Sequence, residues 1–175
     1  APRLDLSSVA DYCKRGAAVA SGVDGWKAFR MDRTVSDILK TPVNGQDEAP
    51  WASWADEALL DLPMCDLHIG LKASFVEQPI AELSRELEEH RLEFRPHFWL
   101  SNEWFTPDGV PGIAVPFYLA HPRLAKLEQA QTLAVEGGTT EWCLRILRHE
   151  AGHAIENAYK IRGRKSRQDL FGKSS

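Results

Sequence analysis

The sequence predicts an α+β fold, in which a small antiparallel or mixed sheet packs against three or four helices. Two segments, residues 79–89 and 141–161, repeat apolar side chains at helical spacing. Between them, residues 92–100 and 112–118 are short runs rich in aromatic and branched apolar side chains, which is typical of strands. The Thr-Pro-Asp-Gly sequence at residues 106–109 is a strong turn signal between these two runs.

Composition limits the classes of protein to which the chain can belong. Its 175 residues are 43% hydrophobic, enough for one domain that needs no disulfide or structural metal to fold. A net charge of −4 disfavours nucleic acid as the main partner. No run of about 18 apolar residues and no signal peptide is evident, so we expect no contact with a membrane. Cys13, Cys65 and Cys143 are isolated, which predicts free thiols in a reducing compartment, the cytoplasm.

A change of composition near residues 41–50, with two prolines and an Asn-Gly pair, marks a linker. We therefore divide the chain into an accessory segment, residues 1–45, and a main domain, residues 46–175. Two β-compatible runs flank the turn-rich residues 21–25, which predicts a hairpin in the accessory segment. Residues 26–33 there faintly resemble the closing strand of WYL-type ligand-sensing domains, although a plain accessory hairpin packed on the main domain is the simpler interpretation.

The sequence at the start of the main domain predicts a short helix followed by a strand. Ser53 can cap a helix that carries Leu59 and Leu60. Pro63 ends that helix, because proline does not continue one. Residues 66–71 alternate in polarity enough to form a strand.

The next helix opens at Pro79, which suits the first turn of a helix. Ile80, Leu83 and Leu87 recur at helical spacing and predict its buried face. His90 continues this apolar stripe, and we interpret it as a structural histidine at the edge of the core rather than as a ligand.

The strand at residues 112–118 contains Pro116, which lacks an N–H and so belongs at or beside a sheet edge. A short helix is expected over residues 122–133. After a Gly-Gly break, Thr139 or Thr140 can cap the last helix. We expect that helix to cover residues 141–161 and to stop at Gly163.

The last helix carries His-Glu-Ala-Gly-His at residues 149–153, the H-E-x-x-H pattern. His149 and His153 are four residues apart, so they share a helical face and can direct imidazole nitrogens at one metal ion. Glu150 is rotated by about 100° from His149, so it can reach a metal-bound water without being a ligand. The pattern predicts Zn²⁺ on the two histidines and Glu150 as the general base for attack of water on a carbonyl.

Beyond this pattern, residues 51–171 resemble a family of bacterial zinc-binding metallopeptidases of the HExxH, zincin-like type. The resemblance rests on four blocks, at residues 95–105, 107–124, 136–139 and 145–154. It implies a zincin-like fold with the zinc motif on a long C-terminal helix, and a peptide or protein substrate.

The strand at residues 112–118 is the expected wall of the cleft, along which an extended substrate backbone would lie. Ala114, Val115 and Tyr118 are the candidate substrate-binding residues on this strand. Tyr118 and His121 are also candidates for stabilising a developing oxyanion.

A catalytic zinc takes three protein ligands and a water, and the third ligand is not evident in the sequence. Glu156 lies on the face of the two histidines but about 4.5 Å further along the helix axis than the second of them. Asp169 is another candidate, and a glutamate following residue 175 in a longer chain is the stronger one. His97 and His121 are interpreted as structural.

We interpret two other groups of residues as structural rather than functional. Basic side chains cluster after the zinc motif and are expected to be a solvated helix end. Aromatic side chains near the predicted strands are expected to belong to the core rather than to a cleft. The basic group is Lys160, Arg162, Arg164, Lys165 and Arg167, and the aromatic group is Trp99, Trp104, Phe105 and Phe117.

These observations favour a zinc-dependent metallohydrolase that cleaves peptide bonds. The alternative is a non-catalytic fragment or pseudo-peptidase that serves as a binding or regulatory module, which the missing third ligand favours. A minor third hypothesis is a nucleic-acid or ligand sensor that uses the accessory segment.

Overall fold

The structure is a computed structural model, and it describes Ile38 and residues 49–171. The predicted hairpin within residues 1–45, its WYL-like run and Cys13 lie outside the described residues, as does most of the predicted linker. The described part is α+β, as predicted, with helices packed around one small sheet. Cys65 is an exposed free thiol and Cys143 a buried one.

The described residues form five α-helices, two β-strands and three short 3-10 turns. The helices are α1 (Asp56–Leu60), α2 (Glu77–Glu89), α3 (Pro122–Gln131), α4 (Thr140–Tyr159) and α5 (Lys165–Phe171). The strands are β1 (His97–Ser101) and β2 (Gly112–Pro116), and the turns are Pro50–Ser53, Met64–Leu67 and Phe117–Ala120. Among these described elements, no helix combines the length and apolarity needed to cross a bilayer.

Two predictions for the start of the main domain are wrong. Ser53 does not cap α1, because it lies in a 3-10 turn with its hydroxyl directed at the Pro50 carbonyl, while Ala55 precedes the helix. Residues 66–71 form no strand, since a 3-10 turn ends at Leu67 and His68 adopts a left-handed φ of 51°. The indole N–H of Trp51 donates to the Leu67 carbonyl at 3.0 Å, which uses the acceptor that a neighbouring strand would need.

Helix α2 agrees with its predicted apolar stripe. Leu83 and Leu87 are fully buried, although the helix begins two residues before Pro79, at Glu77. His90 follows the last turn, and its Nδ1 lies 2.8 Å from the Glu86 carbonyl. The histidine is therefore a half-buried structural residue at the end of the helix, as predicted.

The two strands pair in parallel, with His97 opposite Gly112, so of the predicted antiparallel or mixed arrangements β1 and β2 exclude the purely antiparallel one. The intervening loop instead supplies the antiparallel contact. Phe105 forms an isolated antiparallel bridge with Ala114, whose N–H donates to the Phe105 carbonyl at 2.8 Å. Because the loop passes to the other edge of β2 before β2 begins, β1 and β2 run in the same direction.

Both strands are shorter than predicted. Residues 92–96 precede β1 without a sheet partner, because Leu92 and Phe94 are buried in the core instead. At the other end, residues 117 and 118 leave β2 for a 3-10 turn in which Tyr118 is buried. The core that these segments share also draws on α2 and α4. Its fully buried side chains include Ile38, Leu83, Leu87, Ile113, Val115, Leu119, Leu147 and Ile155.

Helix α4 begins as predicted, because the Thr139 hydroxyl accepts a hydrogen bond from the Trp142 N–H at 3.3 Å. The predicted stop at Gly163 is wrong. The helix ends at Tyr159, and Lys160 takes a left-handed φ of 49°. That turn directs Ile161, which is 1% exposed, back into the core, so burial of an apolar side chain outweighs the preference for glycine at this position.

Candidate metal centre

His149 and His153 are exposed on one face of α4, with their side chains directed towards each other. The two Nε2 atoms are 3.3 Å apart, the ring centroids are 4.9 Å apart and the ring planes are at 83°. At this distance the N–H of one ring can donate to the other ring. A metal ion can take the place of that shared proton.

The separation of the two nitrogens fits zinc. Two imidazole nitrogens bound to one Zn²⁺ at about 2.0–2.1 Å in tetrahedral geometry are about 3.3–3.4 Å apart. The 3.3 Å between the Nε2 atoms of His149 and His153 therefore matches one edge of a zinc coordination tetrahedron. Their separation therefore suits two of the four ligand positions.

Of the predicted third ligands, the two that lie among the described residues, Glu156 and Asp169, do not join this pair. The Glu156 carboxylate accepts a hydrogen bond from Arg167 Nε at 2.6 Å, and both side chains are about 85% buried. Asp169 is exposed on α5. Across the described residues, no group of three or more His, Cys, Asp or Glu side chains is arranged to hold a metal ion.

The other two histidines considered as ligands have structural contacts. His97 stacks on Trp99, with ring centroids 5.3 Å apart, and its ring lies over Gly112. His121 is buried, and its Nδ1 accepts a hydrogen bond from the Arg123 N–H at the start of α3. The interpretation of both as structural residues agrees with these contacts.

Glu150 occupies a different environment from its histidine neighbours. It is only 9% exposed, because the rotation between successive helical residues turns it from the solvent towards the protein. Within the described part of the chain, no donor is hydrogen-bonded to its carboxylate. Its carboxylate oxygens are not among the enclosed side-chain atoms without a partner, so they keep some exposure to solvent, from which water can donate to them.

The loop before β2 is fastened to α4 along the same helix. Thr106 donates its hydroxyl hydrogen to the Glu150 carbonyl at 3.2 Å. One turn beyond His153, the Asn157 amide donates to the carbonyls of Pro107 and Val110 at 2.9 and 3.0 Å. These bonds hold the loop against α4 beside the zinc motif. No sequence pattern singled out Asn157, although it lies four residues after His153 on the histidine face of the helix.

The predicted substrate-binding residues are largely enclosed. Ala114 and Val115 are fully buried, and Tyr118 is 7% exposed. The Ala114 N–H is bonded to Phe105, while the opposite edge of β2 pairs with β1. Neither Ala114 nor Val115 therefore offers a free backbone edge. The predicted oxyanion stabiliser Tyr118 has a raised pKa because it is buried and close to the charges of Glu136 and Glu128.

Glu136 is a further residue that no sequence pattern singles out. Burial raises the pKa of Glu136, and the negative charges of Glu150 and Glu103 raise it further. No local pattern indicates that Glu150 acts on Glu136, because the two residues lie in separate segments of the chain.

The aromatic residues near the strands are neither fully buried nor freely exposed. Trp99 and Phe105 meet edge to face with centroids 6.2 Å apart. Trp104 packs on Gly137, and its indole Nε1 is buried without an acceptor among the described residues. All four predicted core aromatics, Trp99, Trp104, Phe105 and Phe117, are half-buried.

Three of the five basic side chains after α4 make contacts with other parts of the chain. Arg162 pairs with Asp108 at 2.8 Å, Arg164 donates to the Tyr159 carbonyl at 3.0 Å, and Arg167 pairs with Glu156. These contacts tie the chain after α4 to the preceding helix and to the loop before β2. They limit the number of guanidinium groups available to an anionic partner.

No protein-family model matches the chain, and no curated protein or solved structure matches it either.

Proposed function

We propose that the chain carries the zinc-binding half of a metallopeptidase site in a zincin-like fold. The observation that supports it best is the His149–His153 pair on α4, with Nε2 atoms 3.3 Å apart beside the buried carboxylate of Glu150. The resemblance to bacterial zinc-binding metallopeptidases supports peptide or protein as the substrate.

In this proposal His149 and His153 hold Zn²⁺ through their Nε2 atoms. Bound zinc supplies a Lewis acid that lowers the pKa of a coordinated water and polarises a carbonyl. Glu150 would take the proton of the attacking water. Thr106, bonded to the Glu150 carbonyl, fixes the helix against the neighbouring loop at this point.

The third ligand is assigned outside the described residues. Glu156 is disfavoured, because turning its carboxylate towards the histidines would break its ion pair with Arg167 and leave a largely buried guanidinium unpaired. Asp169 is disfavoured by its exposed position on a separate helix. A carboxylate is the expected ligand, since it completes the two-histidine, one-carboxylate set of catalytic zinc sites.

Zinc content tests the metal assignment. We expect about one zinc per chain in the purified protein, and far less in the His149→Ala/His153→Ala variant, because both nitrogens are lost. The matched control is His68→Ala/His97→Ala, which removes two exposed imidazoles elsewhere and should keep its zinc. Equal zinc in the two variants would show that the metal is not held by α4.

Hydrolysis of an unfolded protein tests the chemistry. Glu150→Gln should keep the zinc and lose at least about a hundredfold in kcat/KM, because the amide cannot accept the proton. Activity that survives this substitution would exclude Glu150 as the base.

A second candidate function is a zinc-binding module without catalysis. The observation in its favour is that only two ligands converge among the described residues. Stoichiometric zinc with no hydrolysis in any tested protein substrate would favour this candidate.

A further inference from the structure

The first turns of the main domain border a cavity of about 420 Å³, which we call the tryptophan cavity. Its lining includes Trp51, Trp54, Leu62, Leu67 and His121. None of the described residues that line it belongs to α4 or to either strand, so in this part of the chain it shares no residue with the zinc motif. Its volume lies in the range of about 300–1,000 Å³ that is usual for ligand-binding pockets.

Two walls of the tryptophan cavity are held in place by contacts within the protein. Trp51 is buried, its indole N–H donates to the Leu67 carbonyl at 3.0 Å, and its ring meets His121 edge to face at 4.7 Å. His121 is itself fixed, because its Nδ1 accepts a hydrogen bond from the Arg123 N–H at the start of α3. A cavity with walls fixed in this way exists before a ligand binds, which lowers the entropy cost of binding.

The segment that lines much of the tryptophan cavity also exposes apolar side chains. The Trp54 N–H donates to the Trp51 carbonyl at 3.0 Å, and side chains three residues apart in a 3-10 turn lie on the same side of it. Both indoles line the cavity, and Trp54 is 42% exposed. Of the four large apolar side chains that are exposed in the described residues, three lie in this segment, namely Trp54, Leu60 and Met64. Apolar surface concentrated in this way is typical of an interaction site.

The same part of the chain is acidic. Residues 49–71 contain four carboxylates and no lysine or arginine. One of the four, Asp56, pairs with Arg123. The other three are exposed and form no ion pair in the described part of the chain, and they are Glu57, Asp61 and Asp66. Because Asp66 also lines the tryptophan cavity, a basic partner would find complementary charge at the cavity itself.

These features favour an extended basic peptide over two other occupants. A second copy of this chain in a two-fold dimer would present the same acidic surface, so like charges would meet. A small molecule would fill the cavity but leave the exposed Leu60 and Met64 uncovered. A peptide can place one apolar side chain in the cavity and cover the neighbouring surface with the residues on either side. Its lysine or arginine side chains can lie over the exposed indole of Trp54.

We propose that the tryptophan cavity binds a peptide segment in which a large apolar side chain is flanked by lysine or arginine. The apolar side chain fills the cavity beside Trp51 and Trp54, and the flanking cations face Asp61 and Asp66. This site goes beyond the proposed zinc chemistry and does not depend on it, because the described residues of the cavity and those of the zinc motif do not overlap.

Peptide binding measured by fluorescence anisotropy tests the proposal. Fluorescein-labelled Gly-Lys-Lys-Phe-Lys-Lys-Gly is titrated with the full chain, beside one peptide with Ala in place of Phe and one with Glu in place of each Lys. We expect the Phe peptide to bind roughly tenfold more tightly than the Ala peptide, since a buried aromatic anchor carries much of the free energy of binding. The Glu peptide should bind most weakly, and added salt should weaken binding of the Phe peptide.

Trp54→Ala tests the apolar part of the site. It should weaken binding of the Phe peptide roughly tenfold, because it removes a wall of the cavity that is exposed and that the core does not need. Leu133→Ala is the matched control, since Leu133 is 85% exposed and does not line the cavity. It should bind the Phe peptide as the unmodified chain does.

Asp61→Asn/Asp66→Asn tests the charged part of the site. It should weaken binding of the Phe peptide roughly threefold and reduce its dependence on salt, as expected for charges at the rim of an interface. Glu93→Gln/Glu103→Gln, which removes two exposed carboxylates outside the cavity, is the control and should change neither property.

Three outcomes would overturn the proposal: equal binding of the Phe and Ala peptides, no measurable binding, or binding that Trp54→Ala leaves unchanged. Sedimentation velocity tests the other occupant, since a dimer that Trp54→Ala dissociates would assign the cavity to a second copy and would also overturn the proposal. The His149→Ala/His153→Ala variant should bind the Phe peptide with unchanged affinity, so this proposal and the zinc proposal can fail separately.

Discussion

Three residues of one helix turn serve different purposes because successive residues on a helix point in different directions. His149 and His153 face the solvent and each other, whereas Glu150 faces inwards. The rotation between successive helical residues sets the outward direction of the histidines and the inward direction of Glu150, so neither direction can change without the other. The effect of the Glu150 charge on the pKa of Glu136, in another segment, follows from no such local rule.

Gly137 is the residue against which the Trp104 ring packs. Its φ is +76°, and an added Cβ would meet the indole at 3.1 Å. We expect Gly137→Ala to lower the free energy of unfolding by about 2–4 kcal/mol, because backbone strain and overpacking add. Urea denaturation measures the loss.

Gly109→Ala is the matched control for this substitution, since Gly109 has a φ of +77° but open space at its Cβ. It should lose only the backbone contribution, about 1–2 kcal/mol. Equal losses in the two variants would mean that contact with Trp104 does not constrain Gly137.

At the scale of elements, α4 organises the site by holding the loop before β2. The Asn157 amide on the helix donates to two backbone carbonyls of the loop, and the Thr106 hydroxyl on the loop donates to the Glu150 carbonyl of the helix. The two Asn157 bonds hold the loop without depending on its side chains.

Asn157→Ala should destabilise the protein by about 1–2 kcal/mol, because two carbonyl oxygens lose their shared donor. Thermal or urea unfolding measures the change. Asn102→Ala is the control, since Asn102 is exposed and its amide oxygen only accepts from Ser101. A similar loss in both variants would argue against a special role for the Asn157 bridge.

At the scale of the whole molecule, α2 and α4 are joined by an ion pair between residues that are 62 positions apart. Arg148 donates through Nε to Glu86 at 2.9 Å, with a second contact through its terminal nitrogen. The Glu86 side chain is only 14% exposed, so the pair is shielded from solvent. The ion pair holds the helix of the zinc motif through Arg148, the residue that directly precedes His149.

Arg148→Ala should lower the free energy of unfolding by about 1–3 kcal/mol, because it leaves the Glu86 carboxylate enclosed without its partner. A double-mutant cycle with Glu86→Ala measures the coupling of the pair. Arg85→Ala, which removes fully exposed ion pairs on the same α2 helix, should change stability little. The absence of coupling between Arg148 and Glu86 would contradict this assignment.

The sequence by itself determined the long helices. The stripe of α2 and the cap of α4 are local features, since helical spacing and a Thr139 hydroxyl act within a few residues. The turn at residues 106–109 is also a local feature of the sequence. Next to it, the Val110 N–H donates a hydrogen bond to the Pro107 carbonyl at 3.1 Å. The helix repeat alone places His149 and His153 on the same face of α4.

Only the tertiary structure decided the direction of the sheet, the burial of Ala114 and the partner of Glu156. Strand pairing depends on the path of the loop through Phe105, and the Glu156 carboxylate is held by Arg167 from another helix. The physical reason is the same in each case, because these contacts form between residues distant in sequence, where burial and charge outweigh local preference.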